Sequence, residues 1–383
     1  MKKYIGIRYA TAERFGKPIP TPDLQSVDDV TCQVTICPQN PSKLDTLLGL
    51  MSSGEMQSED CLRLSIFTPS TKGLHPVFVW VHGGAYLTGS GMYQRYDASE
   101  LLERGNIVVV NISYRMGILG FYYDPKQDIV NLGLQDQVCA LQWIQRNIRL
   151  FGGDPEQVTI FGQSAGAHSV LCHIAQQRQV LFQKAIIASA PFIPATAKAQ
   201  TKRTRKFLAF LNEDPKTASI TKMLEAQYNA SHGTLSGMPF APVCTDIKAT
   251  EHIIPGLQSV LLWTQRDDAL PFVPFRFLNG IVTRIVFLWP TERYAKHLEK
   301  KGVKTEVWLL DWRHGLSQFG AIHCLELPLI FGTWEQWKDA PFLEGVSRQE
   351  YDEKSAAFKQ RLIKFIRYRC CASHSQEASQ AKP

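Results

Sequence analysis

The stretch "VTIFGQSAGAHSVL", Val158 to Leu171, decides how this chain folds. A short apolar run leads into Ser164, which has a glycine two residues away on either side, and a helix-period pattern starts at about Ala165. A sharp strand-to-helix turn needs small neighbours, because the residue at its apex is strained and crowds its flanks. Gly162 and Gly166 remove those clashes. The turn lifts the Ser164 hydroxyl above the sheet edge, and the N–H of Ala165 points toward the same space. The helix N-terminus that follows favours negative charge there. An ordinary helix-capping serine explains Ser164 but not both glycines.

Working outward, short β-branched runs alternate with helical patterns. "HPVFVWVHGG" (His75–Gly84) and "NIVVVNISY" (Asn106–Tyr114) read as buried strands, and "QVTIF" and "KAIIASA" (Lys184–Ala190) read the same way. "SVLLWT" (Ser259–Thr264) and "KTEVWLLDW" (Lys304–Trp312) are later strand candidates. Between them, "GLQDQVCALQWIQRNIRLFGG" (Gly133–Gly153) places Val138, Leu141, Ile144 and Ile148 at helical spacing, with glycines suited to a C-terminal cap. Continuously apolar strands separated by helices imply an α/β fold, a mainly parallel central sheet covered on both faces. Ligands of such sheets gather at the carboxyl ends of the strands, here the loops after His82, Phe161, Thr264 and Trp312.

The 383 residues carry a net charge of +7, with no low-complexity tract. Two basic runs, Thr201–Lys206 and Lys359–Arg369, read as solvated helix faces, and no nucleic-acid motif accompanies them. No apolar stretch reaches the ~18 residues that span a bilayer, and the N-terminus has no signal-peptide pattern. A cytoplasmic location is therefore expected. Nine cysteines are widely spread without a metal-ligand spacing, so neither a disulfide scaffold nor a metal is expected. Residues 192–256 form a more polar, cap-like helical region within a single domain, 1–369, and residues 370–383 read as a disordered tail.

A nucleophilic serine needs donors for the oxyanion it creates. "HGGAY" (His82–Tyr86) closes the first long strand with Gly83 and Gly84, whose N–H groups, with that of Ala165, would make a three-donor hole. His82 precedes the donors and reads as structural.

These segments, with "SEDCLRLSIFTP" (Ser58–Pro69), "SYRMGILGF" (Ser113–Phe121) and Asn131–Val170, resemble the type-B carboxylesterase and cholinesterase family. The resemblance is dense from Cys37 to Ser189 and returns in two islands beyond. It implies the α/β-hydrolase fold and cofactor-free cleavage of carboxylic esters. "GAIHCLELPLIFGTW" (Gly320–Trp334) resembles the family's histidine loop and favours His323 over His314 as the base. "SVLLWTQRDDALPFV" (Ser259–Val273) resembles the acid segment and puts Asp268 at the acid's position, with Asp267 the alternative. The order Ser, acid, His is the one this fold uses. The resemblance further implies a scaffold pair of Glu59 with Arg115. It also aligns Cys37 and Cys61 with a disulfide of secreted relatives, expected here to stay reduced.

The chain departs from its relatives in lacking an N-terminal hairpin and several helices between about Gly256 and Lys304. A compact esterase with a reduced cap and an open pocket follows, acting on small-molecule esters of short to medium acyl length. Trp80, Tyr86 and Trp263 are its expected aromatic walls. Gln163, where relatives more often carry glutamate, argues against a cationic substrate. Other readings on the same triad are a lactonase, carbamate or amide hydrolase, or a non-catalytic binding protein on the scaffold.

Overall fold

In the computed structural model the described residues are 1–368, apart from 43, 50, 53, 177–178, 194, 232–236, 245–252, 255, 273–275 and 314–319. His314 and the expected disordered tail lie outside them.

Eight strands form one sheet: β1 (Lys2–Arg8), β2 (Arg63–Thr68), β3 (His75–Val81), β4 (Val108–Ile112), β5 (Gly153–Gln163), β6 (Lys184–Ala188), β7 (Ser259–Gln265) and β8 (Lys304–Leu310). Their order across the sheet is β1-β2-β4-β3-β5-β6-β7-β8. β2 runs antiparallel to both its neighbours, β1 and β4, and the six strands β3 to β8 are mutually parallel.

The apolar runs have a direct cause: successive side chains alternate between two buried faces. On β3, Val77, Val79 and Val81 enter one core, while Phe78 and Trp80 enter the other. β5, β6 and β7 repeat this, with Ile160, Ile187 and Leu262 on the first face against Phe161, Ile186 and Leu261 on the second. Helices α1 (Leu132–Asn147), α2 (Ala165–Gln176) and α5 (Trp289–Lys300) cover the first face, with α3 (Ala197–Leu211) and α4 (Ile220–Ser231) beside them. The long helix α6 (Arg348–Arg367) covers the second. β8 is an edge strand, and Val307 and Leu309 are exposed.

Two expectations are corrected by packing. The basic run at Lys359–Arg369 is not simply a solvated face. Lys359, Leu362, Ile363 and Ile366 are buried, and the Lys359 ammonium reaches Glu100 at 2.7 Å. Glu59 and Arg115 do not pair with each other. Arg115 forks onto the fully buried Asp136 at 2.7 and 2.8 Å, and Glu59 takes Arg14 instead. Asp136 lies one turn into α1, in reach of the chain entering that helix, which a linear motif does not reveal.

Candidate active site

Ser164 sits at φ +56°, between the last residue of β5 and the first of α2. Left-handed backbone is costly for a residue with a Cβ and persists only where the surroundings enforce it. Here the Ser164 N–H donates to Ala188 O at 2.9 Å, and its carbonyl receives His168 N at 2.9 Å. The two glycines are steric necessities. A Cβ on Gly162 would stand 2.2 Å from Gly166 O, and one on Gly166 would stand 2.1 Å from Val81 O.

That contact brings the end of β3 against the serine turn. A Cβ on Gly83 would lie 3.1 Å from Ser164 Cβ, so the loop after β3 passes directly over the serine. Among the described residues, the N–H groups of Gly83 and Gly84 donate no hydrogen bond. Ala165, as the first residue of α2, has no intrahelical acceptor for its N–H. His82 is fully buried, stacked on Tyr114 at 4.6 Å, with Nδ1 donating to Gly83 O at 2.9 Å; burial lowers its pKa to about 4.

Asp267 and Asp268 follow β7. The Asp268 carboxylate, fully buried, receives His323 Nδ1 at 2.9 Å on one oxygen. Its other oxygen receives the Gln265 N–H at 2.7 Å and the Ser189 hydroxyl at 2.9 Å. Asp267 points the opposite way. It receives Ala321 N at 3.0 Å, Asn279 Nδ2 at 2.8 Å and Arg313 at 3.1 Å, and its own N–H donates to Ala321 O. Asp268 thus meets the imidazole, while Asp267 ties down the loop that carries it.

The imidazole's other nitrogen, Nε2, faces the Gln163 side-chain amide at 3.2 Å. With Nδ1 protonated toward Asp268, Nε2 is a lone-pair acceptor and Gln163 donates to it. Among the described residues no hydrogen bond joins the Ser164 hydroxyl to His323. The structure brings His323 and Asp268 together and sets the Gly83–Gly84 loop against the turn that holds Ser164 and Ala165; the serine–imidazole bond is not made. The rings of Phe272 and Phe287 lie 5.2 and 5.7 Å from the imidazole.

Several neighbours were not singled out in the sequence. Glu326 is fully buried, accepting Trp263 Nε1 at 3.2 Å and Gln265 Nε2 at 2.6 Å, and burial raises its pKa. Its signal was available: a glutamate three residues after His323, in the turn that leads into the next short helix. Ser189, Phe272 and Phe287 carried no such spacing. Cys324, at φ +73°, is buried beside Gln163 Nε2 at 3.2 Å.

A cavity of about 320 Å³ opens beside this cluster, lined by Gly83, Gly84, Gln163 and Cys324 and by Leu48, Met51, Tyr93 and Tyr96. The expected aromatic walls are corrected here. Trp80, Tyr86 and Trp263 are fully buried. Trp80 and Trp263 point into the second core, where both contact Phe161. Among the described residues no cluster of three or more His, Cys, Asp or Glu side chains could hold a metal ion. No helix among them is long and apolar enough to cross a membrane.

Comparison with known proteins gives the same picture. Residues 1–226 match the model of the Carboxylesterase family. A probable N-octanoylanthranilate hydrolase of Rhodococcus erythropolis is 35% identical over 405 residues, covering 94% of this chain and 88% of that protein. The para-nitrobenzyl esterase of Bacillus subtilis is 31% identical, covering 94% of this chain and 83% of its own length. A solved para-nitrobenzyl esterase structure superimposes with a TM-score of 0.80 at 28% identity, over 95% of this chain and 86% of that one. A parallel sheet, a strained serine turn and relatives matched along nearly the whole chain lead to one conclusion: this chain belongs to the carboxylesterase family, and is a carboxylic ester hydrolase on the α/β-hydrolase fold.

Proposed function

We propose that Ser164 is the nucleophile, His323 the general base and acid, Asp268 the group that orients His323, and the N–H groups of Gly83, Gly84 and Ala165 the oxyanion hole. The observation that carries this reading is the buried 2.9 Å bond between His323 and Asp268, held beside the strained turn at Ser164. Ser164 Oγ attacks the ester carbonyl and yields its proton to His323 Nε2, so the Gln163 amide gives up that position as substrate enters. Catalytic hydrogen bonds often tighten only in the substrate complex. Asp268 stabilises the imidazolium, and the carbonyl oxygen, now anionic, receives the three N–H groups. Collapse expels the alcohol, protonated by His323, and water then cleaves the acyl-enzyme by the same steps in reverse.

The substrate is a small-molecule ester of short to medium acyl length, which suits a cavity of about 320 Å³. The domain reading stays as residues 1–369 in one unit, with 192–256 as a reduced cap over the first face; α3 and α4 supply its helices. A reducing, cytoplasmic setting fits the buried Cys37 and Cys61, which are free thiols.

The test is hydrolysis of p-nitrophenyl esters from acetate to decanoate, with fluorophosphonate labelling and peptide mapping. Labelling is expected on Ser164, and kcat is expected to fall by roughly 10⁴-fold or more in Ser164→Ala and in His323→Gln. Full turnover in Ser164→Ala would overturn the assignment.

A second reading is amide hydrolysis by the same groups, favoured by the relative described as acting on N-octanoylanthranilate. An octanoyl anilide turned over as fast as the matched octanoyl phenyl ester would establish it.

A further inference from the structure

The three proposed oxyanion donors come from two separate pieces of chain. Gly83 and Gly84 belong to the loop after β3, and Ala165 belongs to α2. Their mutual spacing must hold to within a few tenths of an ångström for all three to reach one oxygen.

The loop is strained. Gly84 has φ +103°, and Ala85 and Tyr86 follow at +57° and +61°, two successive non-glycine residues in left-handed backbone. Such a turn persists only when its surroundings over-determine it. Within the loop, Leu87 and Thr88 donate to Gly84 O at 2.9 and 3.0 Å, and Gly117 N donates to Tyr86 O at 2.6 Å. None of these bonds ties the loop to α2. One side-chain group does: the Tyr86 hydroxyl lies 2.8 Å from His168 Nδ1 and 3.0 Å from Ser169 Oγ, one turn along α2 from Ser164.

The protons around that hydroxyl can be assigned uniquely. His168 Nε2 lies 3.2 Å from Ile193 O, a pure acceptor, so Nε2 carries the proton and Nδ1 accepts from Tyr86. Tyr86 therefore receives from the Ser169 hydroxyl. Ser169 Oγ in turn receives Gln137 Nε2 at 3.1 Å, and Gln137 Oε1 receives His173 Nε2 at 2.8 Å. Tyr86, His168, Ser169, Gln137 and His173 are all buried, and each link pairs one donor with one acceptor. A satisfied buried network of this kind fixes geometry more firmly than isolated bonds do.

We propose that Tyr86 is a positioning residue for ester hydrolysis: its hydroxyl, bridging His168 and Ser169, pins the Gly83–Gly84 donors in register with the N–H of Ala165. His168 completes the pin as the acceptor. The inference rests on the oxyanion-hole assignment above.

Three variants test it: Tyr86→Phe, His168→Leu and His168→Gln, the last keeping an acceptor for the hydroxyl. Tyr86→Phe and His168→Leu are expected to lower kcat about ten-fold with KM changed less than two-fold. They are expected to weaken binding of a trifluoromethyl ketone, a tetrahedral mimic, by a similar factor. The double variant should be no worse than either single one, and His168→Gln should recover most of the loss. Amide hydrogen exchange across residues 83–88 should quicken in Tyr86→Phe even in a Ser164→Ala background. That readout does not depend on which serine attacks, so a failed pin and a failed nucleophile assignment give different results. Unchanged exchange, or unchanged kcat and ketone affinity in Tyr86→Phe, would overturn the proposal. So would a lowered melting temperature as the sole effect.

Discussion

The side-chain nitrogen of Gln163 lies 3.2 Å from Nε2 of His323, the imidazole atom that serves Ser164 in the proposed mechanism. Two donors, an amide and a hydroxyl, therefore compete for one lone pair. A neutral hydrogen bond of this kind has a net worth of about 1 kcal/mol. Gln163→Leu should remove the competitor and raise kcat/KM for a p-nitrophenyl ester by up to about five-fold. A drop in kcat/KM would instead show that the amide assists the reaction.

The neighbouring aspartates should separate cleanly on mutation. Asp268→Asn leaves His323 Nδ1 facing an amide and favours the wrong tautomer, so kcat should fall by about 10³- to 10⁴-fold. Asp267→Asn loses charge-assisted bonds to Ala321 and Arg313 and should cost about 1–3 kcal/mol of stability. Denaturant titration beside steady-state kinetics would reveal an exchange of these two outcomes.

Gly166 has no room for a methyl group, since its Cβ would stand 2.1 Å from Val81 O and 2.8 Å from His82 O. Both neighbours are backbone, so relief requires the serine turn and the donor loop to part. Gly166→Ala should therefore abolish activity and lower stability by about 3 kcal/mol or more. An active, normally stable Gly166→Ala protein would contradict the packing described.

Acid should destabilise the fold before it reaches most carboxylates. Burial lowers the pKa of His82, His168 and His173 from 6.5 to about 4 in each case. Between those values the unfolded chain holds protons that the folded one does not. Stability from these neutral imidazoles is therefore complete above pH 6.5 and is lost as pH falls toward 4. The steepest slope is about 1.4 kcal/mol per pH unit for each histidine. Glu326, its carboxyl raised by burial, works in the opposite direction and softens the loss. Urea midpoints at pH 7.5, 6 and 5 should decline in order, and His173→Gln should flatten the decline. Equal midpoints at all three values would refute this.

How much of this was legible depends on where each contact arises. β3 to β7 announce themselves because both their faces are buried, leaving unbroken apolar runs. β1 and β2 carry no such run. β1 is an edge strand that begins with two exposed lysines, and β2 holds Arg63 buried under hydrogen bonds to Gly6, Thr35 and Gln33. The serine turn and the glycine loop are local, so their steric demands are written in neighbouring residues. The meeting of Gln163 with His323 spans 160 residues, and only folding creates it. Trp80 and Trp263 look like pocket walls in sequence because they sit near strand ends; strand parity turns both into the second core.

The turn after β7 also bears on how the gene can change. Asp267 and Asp268 divide two tasks because this turn aims one carboxylate at Ala321 and the next at His323. Deleting or inserting a single residue between Thr264 and Asp268 would move both carboxylates off these partners. Surface loops of this chain can drift in length, but the three residues between Thr264 and Asp268 are locked to their count.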